Sequence, residues 1–459
     1  MRIDKLYLEN FRCFSELEMN LDEKLTVLVA ENGQGKSTLL DAVRIALWPF
    51  VSSFDLARPA IDPGNGIGIS DVRTVPISSS EMARQLPSKV SVTGDFGSGK
   101  TSTWTRFRDS EAKATKTKDV DATPQMKKWA ANLQKKVRDP DIGSVDLPVF
   151  GYYGTGRLWS QKRLTERQVG KDDTKGTDFY IRTFAYLNCL DPASSYKHFK
   201  EWFTWAFESF REHQIEEIEG RRSPYEFEVA RERVMVVQQA IDAFLKPLTG
   251  WHGLEFSLTR GKSLILHHEV QGALRVDQLS DGIRSVLAMV GDIAYRCIKL
   301  NPHLGIEAAR KTTGVVMIDE VDMHLHPRWQ QVILGQLQEA FEQIQFIVTT
   351  HSPQVLTTVA SNHIRILREN KVYAAPPGTD GAEPERILKR VLGLEDVRPS
   401  TVQATKDLRE YLALVDKNQW DSERALELRE LLDQRYQGEE PALIQADLQI
   451  ENSKWEQGH

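Results

Sequence analysis

The stretch that decides the fold reads LTVLVAENGQGKSTLLDAVRIALW and spans residues 25–48. It begins with a short apolar run of the kind that forms a fully buried strand. From residue 37 onward it places apolar side chains at helical spacings. Between the two lies the pattern A-x-x-x-x-G-K-S. A strand that ends in a turn, followed at once by a helix, is the arrangement that binds phosphate.

This loop departs from the usual phosphate-binding pattern only at Ala30, which replaces a glycine. Ala30 lies where the strand ends, and a methyl group is a modest change there. Lys36 is predicted to contact the β- and γ-phosphates of a nucleotide, and Ser37 to bind Mg²⁺. The predicted nucleotide-binding residues of the loop are Asn32, Gly33, Gly35, Lys36, Ser37 and Thr38.

A second segment, GDFGSGKT at residues 94–101, matches G-x-x-x-x-G-K-[ST] without a mismatch. The residues on both sides of it alternate between apolar and polar, which is typical of half-exposed strands. Gly97-Ser98-Gly99 between two such strands is a hairpin turn signal. The sequence therefore predicts a β-hairpin at 94–101 and a nucleotide site at 30–37.

Two later segments add acidic and basic groups at strand ends. TTGVVMIDEVDMHLHP (312–327) has an apolar strand that ends in Asp319 and Glu320. Asp319 can hold Mg²⁺, directly or through water, and Glu320 can polarise the attacking water. IQFIVTTHSPQVL (344–356) is a second apolar strand, and His351 after it can contact a γ-phosphate. Without the upstream loop, these residues would be an ordinary acidic turn and a capping or core histidine.

A third segment, DQLSDGIRSVLAMVGDIAYR (277–296), begins a strongly periodic helix at Ser280-Asp281-Gly282. A turn of small residues at a helix N-terminus attracts anions. On its own it would be an ordinary capped helix.

In this order, the loop, LSDG, MIDEVD and TTHSP resemble the ABC-type ATPase heads of the SMC, RecF and OLD group. YYGTGRLW (152–159) and DEVDMHLHPRWQ (319–330) are similar to the Septu antiphage defence ATPases, the PtuA family. The resemblance covers most of residues 1–375. It implies an α/β P-loop NTPase fold: an ABC-type ATPase head with an antiparallel β subdomain, a short helical insertion and a C-terminal helical region.

The resemblance also implies roles that the linear motifs do not give. Arg12 occupies a position that often points toward the phosphates, and Gln161 is the candidate for the Q-loop residue near the metal. Ser280, Asp281 and Gly282 would face the γ-phosphate held by a second protomer. ATP would then join two chains into a homodimer or a higher homo-oligomer. Asp281 departs from the family pattern, which more commonly has glycine.

By the same resemblance, the chain is expected to be an ATPase that uses ATP and Mg²⁺. Its expected partner is a separate HNH-type nuclease subunit (PtuB-like), and DNA would be reached through that complex. Two rival interpretations stay open at this point. One is a RecF-type repair ATPase that binds DNA itself, and the other is a nucleotide-sensing scaffold with little turnover.

Four regions are predicted: two ATPase half-heads at 1–177 and 251–375, a helical insertion at 178–250, and an acidic helical region at 376–459. The insertion is too short for a coiled-coil rod. Its aromatic stripe over 196–220 indicates either core packing or an oligomer contact. In the last region, helices are expected at 383–393, 403–416 and 421–436.

Charge and composition restrict the class of protein. The net charge is −6, and residues 401–459 carry 7 Lys/Arg against 13 Asp/Glu, so the rest is balanced. This overall charge argues against a protein that coats nucleic acid without specificity. Eight Lys/Arg between 113 and 138 indicate either a DNA-contacting loop and helix or a solvated, partly flexible insertion.

No run approaches the ~18 apolar residues of a membrane span, and three scattered cysteines indicate reduced thiols. A cytoplasmic protein without membrane contact is therefore expected.

Overall fold

The computed structural model describes residues 1–57, 65–156, 178–192, 195–221 and 224–458. These residues form two compact units, Met1–Ile387 and Leu388–His459. Within the described ranges, no helix is long and apolar enough to cross a membrane.

The secondary structure of the described ranges is numbered here in chain order. The strands are β1 (Arg2–Phe11), β2 (Phe14–Asn20), β3 (Leu25–Ala30), β4 (Thr74–Pro76), β5 (Met82–Arg84), β6 (Ser88–Asp95), β7 (Ser102–Arg108), β8 (Lys118–Asp121), β9 (Val149–Tyr153), β10 (His252–Ser257), β11 (Ser263–His268), β12 (Gly272–Arg275), β13 (Gly314–Ile318), β14 (Ile344–Thr349), β15 (Ile364–Arg368) and β16 (Lys371–Ala374). The helices are α1 (Lys36–Val51), α2 (Thr123–Arg138), α3 (Ser195–Ile218), α4 (Pro224–Thr249), α5 (Asp281–Leu300), α6 (Ala308–Lys311), α7 (Pro327–Gln330), α8 (Ile333–Ala340), α9 (Pro353–Leu356), α10 (Pro384–Arg390), α11 (Gln403–Asp416), α12 (Glu423–Tyr436) and α13 (Pro441–Gly458).

The central sheet carries the predicted phosphate loop and has the strand order β16-β15-β3-β14-β13-β9. All neighbouring pairs are parallel except β15 and β16 at one edge. Every residue of β3, β9, β13 and β14 is buried, as their continuous apolar runs predict for strands covered on both faces. Parallel strands end at the same edge of a sheet. The residues that follow β3, β13 and β14 therefore meet there.

The predicted antiparallel subdomain is a five-stranded sheet of order β2-β1-β6-β7-β8. Gln345 of β14 joins it to the central sheet, because its side-chain amide exchanges two hydrogen bonds with the backbone of Ile3, at 2.9 and 2.6 Å. α1 contacts the same sheet through Trp104, whose indole Nε1 donates to the carbonyl of Ala46 at 3.0 Å. The antiparallel sheet therefore also fixes the position of α1, the helix that follows the phosphate loop.

The predicted hairpin at 94–101 is confirmed. β6 and β7 pair antiparallel from Ser88 with Arg108 to Gly94 with Ser102. In the turn between them, Asp95 Oδ1 accepts from the amides of Gly97, Ser98 and Gly99 at 2.8, 2.8 and 3.2 Å. The amides that would face a phosphate in a nucleotide loop are thus satisfied by a carboxylate of the hairpin itself.

The interpretation of 113–138 as a partly flexible insertion is wrong for most of that segment. β8 pairs antiparallel with β7, and α2 buries Met126 and Ala130 completely. The buried face repeats every four residues, a period that the dense lysines of the sequence obscure. Exposed lysines remain on the other side of α2, so a role in DNA contact stays a prediction.

The aromatic stripe of α3 packs inside the first unit. Phe199, Trp202 and Phe203 are each at most 1% exposed. The ring of Trp202 lies 4.5 Å from that of Tyr295 on α5. A Cβ added at Gly291 of α5 would lie 2.6 Å from Phe199 Cζ, so only glycine permits this approach. Most of the stripe is therefore core, as the first of the two interpretations predicts, and Trp205 and Phe210 are partly buried.

In the second unit, α11, α12 and α13 bury one apolar cluster. Its fully or nearly fully buried members are Leu408, Tyr411, Val415, Ala425, Leu428, Leu432, Leu443 and Ala446. α11 and α12 match the predicted helices at 403–416 and 421–436 closely. α13 was not predicted, because Ile444, Leu448 and Trp455 are exposed and blur the apolar period of that segment.

A buried polar group connects α5 to the end of β9. Tyr153 Oη donates to Asp292 Oδ2 at 2.8 Å, and Arg296 Nε donates to the same oxygen at 2.7 Å. All three side chains are about 1% exposed. Burial raises the pKa of Tyr153, and the nearby Asp292 carboxylate raises it further. The phenol therefore stays protonated and remains a donor.

We expect Arg296→Ala to lower the free energy of unfolding by about 3–5 kcal/mol, because it leaves the carboxylate of Asp292 buried and unpaired. Tyr153→Phe removes one hydrogen bond and should cost about 1–3 kcal/mol. Urea unfolding monitored by circular dichroism measures both. Lys5→Ala is the control, since its ion pair with Glu18 is exposed and should contribute no more than about 1 kcal/mol. Equal effects of Arg296→Ala and Lys5→Ala would contradict this account.

Candidate functional site

The loop after β3 has the geometry of an anion site. Gly33 and Gly35 have φ values of +82° and +94°, which turn the backbone into the N-terminus of α1 at Lys36. A Cβ on Gly35 would lie 2.7 Å from Phe14 Cζ and 2.9 Å from Cys13 Sγ, so the position requires glycine. Amides at such a turn, together with the helix dipole, favour phosphate.

Lys36 lies inside this loop and is 8% exposed. Its Nζ donates to the carbonyls of Ala30 and Glu31 at 2.9 and 3.3 Å. Burial lowers the pKa of Lys36, while the nearby carboxylates, Asp319 foremost, oppose that shift. A partly desolvated ammonium of this kind gains from an anionic ligand.

Ser37 and Asp319 are 282 residues apart in sequence, and the structure joins them directly. Ser37 Oγ donates to Asp319 Oδ2 at 2.7 Å, and Thr349 Oγ1 donates to Asp319 Oδ1 at 2.6 Å. Asp319 is 6% exposed. The Ser37 hydroxyl and the Asp319 carboxylate are oxygen ligands of the kind that Mg²⁺ prefers, and they lie in contact.

Glu320 follows Asp319 with a φ of +50°, in the left-handed region that residues with side chains rarely adopt. Such a conformation costs about 1–3 kcal/mol and persists only where neighbouring groups enforce it. Here the Glu320 amide donates to Thr349 Oγ1 at 2.8 Å. The strain is thus placed at the residue predicted to polarise water.

His351 lies beside these groups, after β14. Burial lowers the pKa of His351, and the charge of Lys36 lowers it further. The imidazole is therefore neutral at pH 7. Its Nε2 is buried and has no hydrogen-bond partner among the described residues. A polar ring nitrogen left unsatisfied next to an anion loop fits a phosphate oxygen as its missing partner.

The LSDG turn lies against the segment that follows Glu320. α5 begins at Asp281 with Ser280 as its N-cap, and both residues are exposed. A Cβ on Gly282 would lie 2.7 Å from the carbonyl oxygen of His324, so a larger residue would push the two segments apart. No hydrogen bond among the described residues joins this turn to Lys36 or Ser37 of the same chain. Its predicted role toward a second protomer stays a prediction.

The remaining predicted residues lie at the margin of the site or outside the described ranges. The Arg12 guanidinium donates to Asp41 at 2.7 Å and to Asp71 at 2.8 Å, so it is engaged by two carboxylates. Asn32 is exposed at the tip of the loop, and Thr38 is half-buried in the first turn of α1. Gln161, the predicted Q-loop residue, lies outside the residues that the structure describes.

The sequence interpretation missed three residues that contact the site. Thr349 and Thr350, both fully buried, follow one another at the end of β14. Thr350 Oγ1 donates to Asp322 Oδ1 at 2.5 Å, and Asp322 in turn acts electrostatically on Lys36 and His351. The repeated carboxylates of MIDEVD and the doubled threonine of TTH were the available signals.

Known families match most of the first unit. A model described as an AAA domain matches residues 5–222. A second AAA domain model, whose description includes the AbiEii toxin of a Type IV TA system, matches residues 165–357. The matched ranges contain the whole site described above. Taken together, the two matches make residues 5–357 similar to AAA ATPase domains.

Several relatives extend beyond this ATPase domain. The "Retron Ec83 probable ATPase" of Escherichia coli is 27% identical over 99% of this chain and 88% of its own length. The "Retron Vc95 probable ATPase" of Vibrio cholerae is 25% identical over 94% of this chain and 86% of its own length. The "Septu protein PtuA" of Bacillus mycoides is 35% identical, but over only 27% of this chain and 18% of its own length. The resemblance to Septu ATPases is confirmed, and the two retron ATPases are similar along nearly the whole chain.

We expect Lys36→Ala to weaken ATP binding to the ATPase domain by about 100-fold, because it removes the charge-assisted contact to the phosphates. Lys100→Ala is the matched control, since Lys100 occupies the equivalent position in the 94–101 hairpin. Its loss should leave the affinity unchanged. Isothermal titration with ATP and Mg²⁺ compares the two variants. A larger loss in Lys100→Ala would reverse the assignment of the loops.

Proposed function

We propose that this chain is the ATP-binding and ATP-hydrolysing subunit of a prokaryotic antiphage defence complex. The observation that carries the chemical part is the 2.7 Å bond between Ser37 and Asp319, with Lys36 and Glu320 adjoining it. The defence part is supported by the relatives named for Septu and retron systems.

In the proposed reaction, water attacks the γ-phosphorus in line with the bond to the β–γ bridging oxygen. That bond breaks, and ADP and phosphate leave. Glu320 orients the water and accepts its proton, and Lys36 neutralises charge on the β- and γ-phosphates. Ser37 and Asp319 would hold Mg²⁺, which neutralises further phosphate charge when bound. The neutral imidazole of His351 would form a hydrogen bond with a γ-phosphate oxygen.

ATP is also proposed to join two chains. The N-terminus of α5, with the exposed Ser280 and the buried Gly282 behind it, would face the γ-phosphate held by the other protomer. A ligand stabilises the state in which it makes more contacts, so a site completed by two chains favours the dimer. Gly282 supports this, because its contact with His324 couples the turn to the segment that follows Glu320.

The same complex would include an HNH-type nuclease subunit (PtuB-like), whose DNA cleavage depends on the nucleotide state of this chain. The acidic second unit offers a separate surface for such a subunit. It contains α11, α12 and α13, with Ile444, Leu448 and Trp455 exposed on one side of α13.

We expect Glu320→Gln to lower the steady-state rate of ATP hydrolysis by about 100-fold or more, because the amide cannot accept the proton from water. ATP affinity should stay close to that of the native chain, since Lys36 and the loop are intact. Phosphate release and equilibrium titration measure the two quantities. Near-zero rates in both the native chain and Glu320→Gln would overturn hydrolysis and favour a nucleotide-sensing scaffold.

In the Glu320→Gln background, which retains ATP, we expect a shift from monomer to dimer on addition of ATP and Mg²⁺. Ser280→Arg should prevent that shift by steric and charge conflict at the interface while leaving the ATP affinity of the separate protomer unchanged. Sedimentation velocity reports the mass of each species. A second charge variant, Lys128→Glu on the exposed face of α2, is the control and should still dimerise. Dimerisation of Ser280→Arg as readily as of its parent would refute the proposed arrangement.

A further inference from the structure

Thr349, the last residue of β14, forms hydrogen bonds with three consecutive residues after β13. Its hydroxyl donates to Asp319 Oδ1 at 2.6 Å and accepts from the Glu320 amide at 2.8 Å. Its backbone carbonyl accepts from the Val321 amide at 3.0 Å. A hydroxyl has one proton to donate and lone pairs to accept with, so the two side-chain bonds do not compete.

The bond to the Glu320 amide matters because of the backbone conformation there. At a φ of +50°, Glu320 directs its side chain away from the path that an extended continuation of β13 would give it. Thr349 is fully buried, so water cannot easily replace the hydroxyl. Its branched Cβ restricts the side-chain torsion and keeps the hydroxyl in place. One hydroxyl therefore holds the left-handed turn and the Asp319 carboxylate together.

The next residue repeats the arrangement one step further along. Thr350 Oγ1 donates to Asp322 Oδ1 at 2.5 Å and accepts from the Ser352 amide at 3.0 Å. Thr350 is also fully buried. Two successive hydroxyls thus fix both ends of residues 319–322. The conformation of residues 319–322 therefore depends on hydrogen bonds to the end of β14 as well as on β13, which precedes them.

We infer that Thr349 is a positioning residue for ATP hydrolysis: its hydroxyl sets the orientation of Asp319 toward Mg²⁺ and of Glu320 toward the attacking water. The inference rests on the proposed hydrolytic function. The inference predicts an effect on the rate of hydrolysis rather than on ATP binding, because the hydroxyl of Thr349 bonds to Asp319 and Glu320 and not to Lys36 or the loop. Removing it should misplace the acidic groups and leave the phosphate contacts intact.

The test compares Thr349→Val, which keeps the shape and loses the hydroxyl, with Thr349→Ser, which keeps the hydroxyl. We expect Thr349→Val to lower kcat by about 100-fold, as small displacements of catalytic groups do. The Kd for ATP measured without Mg²⁺ should stay unchanged in both variants, and Thr349→Ser should retain most of the native kcat. Adding Thr349→Val to Glu320→Gln should lower the rate by less than the product of the two single effects, because one of the two positioned groups is already gone.

Amide hydrogen exchange without nucleotide gives a readout that does not depend on activity. In Thr349→Val, the Glu320 amide should exchange faster, whereas the Val321 amide, bonded to the Thr349 carbonyl, should be unaffected. Thermal unfolding establishes that the variants are folded. Thr349→Ala replaces Thr349→Val if the latter is not, with the same expected outcomes.

The inference is overturned if Thr349→Ser loses as much kcat as Thr349→Val, or if Thr349→Val keeps native kcat and native exchange at Glu320. A native chain without turnover would instead contradict the proposed hydrolysis. In that case the exchange measurement still decides the positioning role, with faster exchange at Glu320 alone supporting it and unchanged exchange refuting it.

Discussion

The position of β14 between β3 and β13 is the constraint on which the rest of the site depends. β14 pairs parallel with both neighbours, with Val348 opposite Val27 on one side and Ile318 on the other. Because three parallel strands end at one edge, the residues after each of them converge without any loop having to reach across the sheet. The bond between Ser37 and Asp319 follows from this register. A shift of one residue in either pairing would turn every following side chain to the other face.

Electrostatics at this edge favour a bound anion. Burial lowers the pKa of both Lys36 and His351, and the charge of Lys36 adds to the effect on His351. The neighbouring carboxylates offset these shifts only in part. A bound polyphosphate would stabilise the charged form of each cationic group and raise both pKa values. ATP binding is therefore expected to be coupled to proton uptake wherever the pH lies between the free and the bound pKa of His351.

The sequence was sufficient for the backbone of the site because its elements are strongly periodic and end abruptly. β3, β13 and β14 lie within one or two residues of their predicted positions, and the strand before the loop and the helix after it distinguish it from the 94–101 hairpin. The hydroxyl of Thr349 could not be assigned in the same way. Nothing local in TTH distinguishes a threonine that packs in a strand from one that bonds to residues thirty positions earlier. Such a role depends on strand order, which single-chain periodicity does not give.

The elements before and after each of the two phosphate-loop patterns, at 30–37 and 94–101, determine whether its amides can bind a phosphate. In both, two glycines separated by one residue have positive φ: Gly33 and Gly35 in one, Gly97 and Gly99 in the other. The local backbone is therefore built in a similar way, and in each case it turns amides inward. In the hairpin, Asp95 supplies the anion, and no helix follows to add its dipole. At 30–37 the N-cap of α1 is a glycine without a side chain that could cap the helix, so its first amides remain available to a ligand. The mismatch at Ala30 lies on the strand side, away from these amides, whereas in the hairpin Asp95 already accepts from the amides that a phosphate would need.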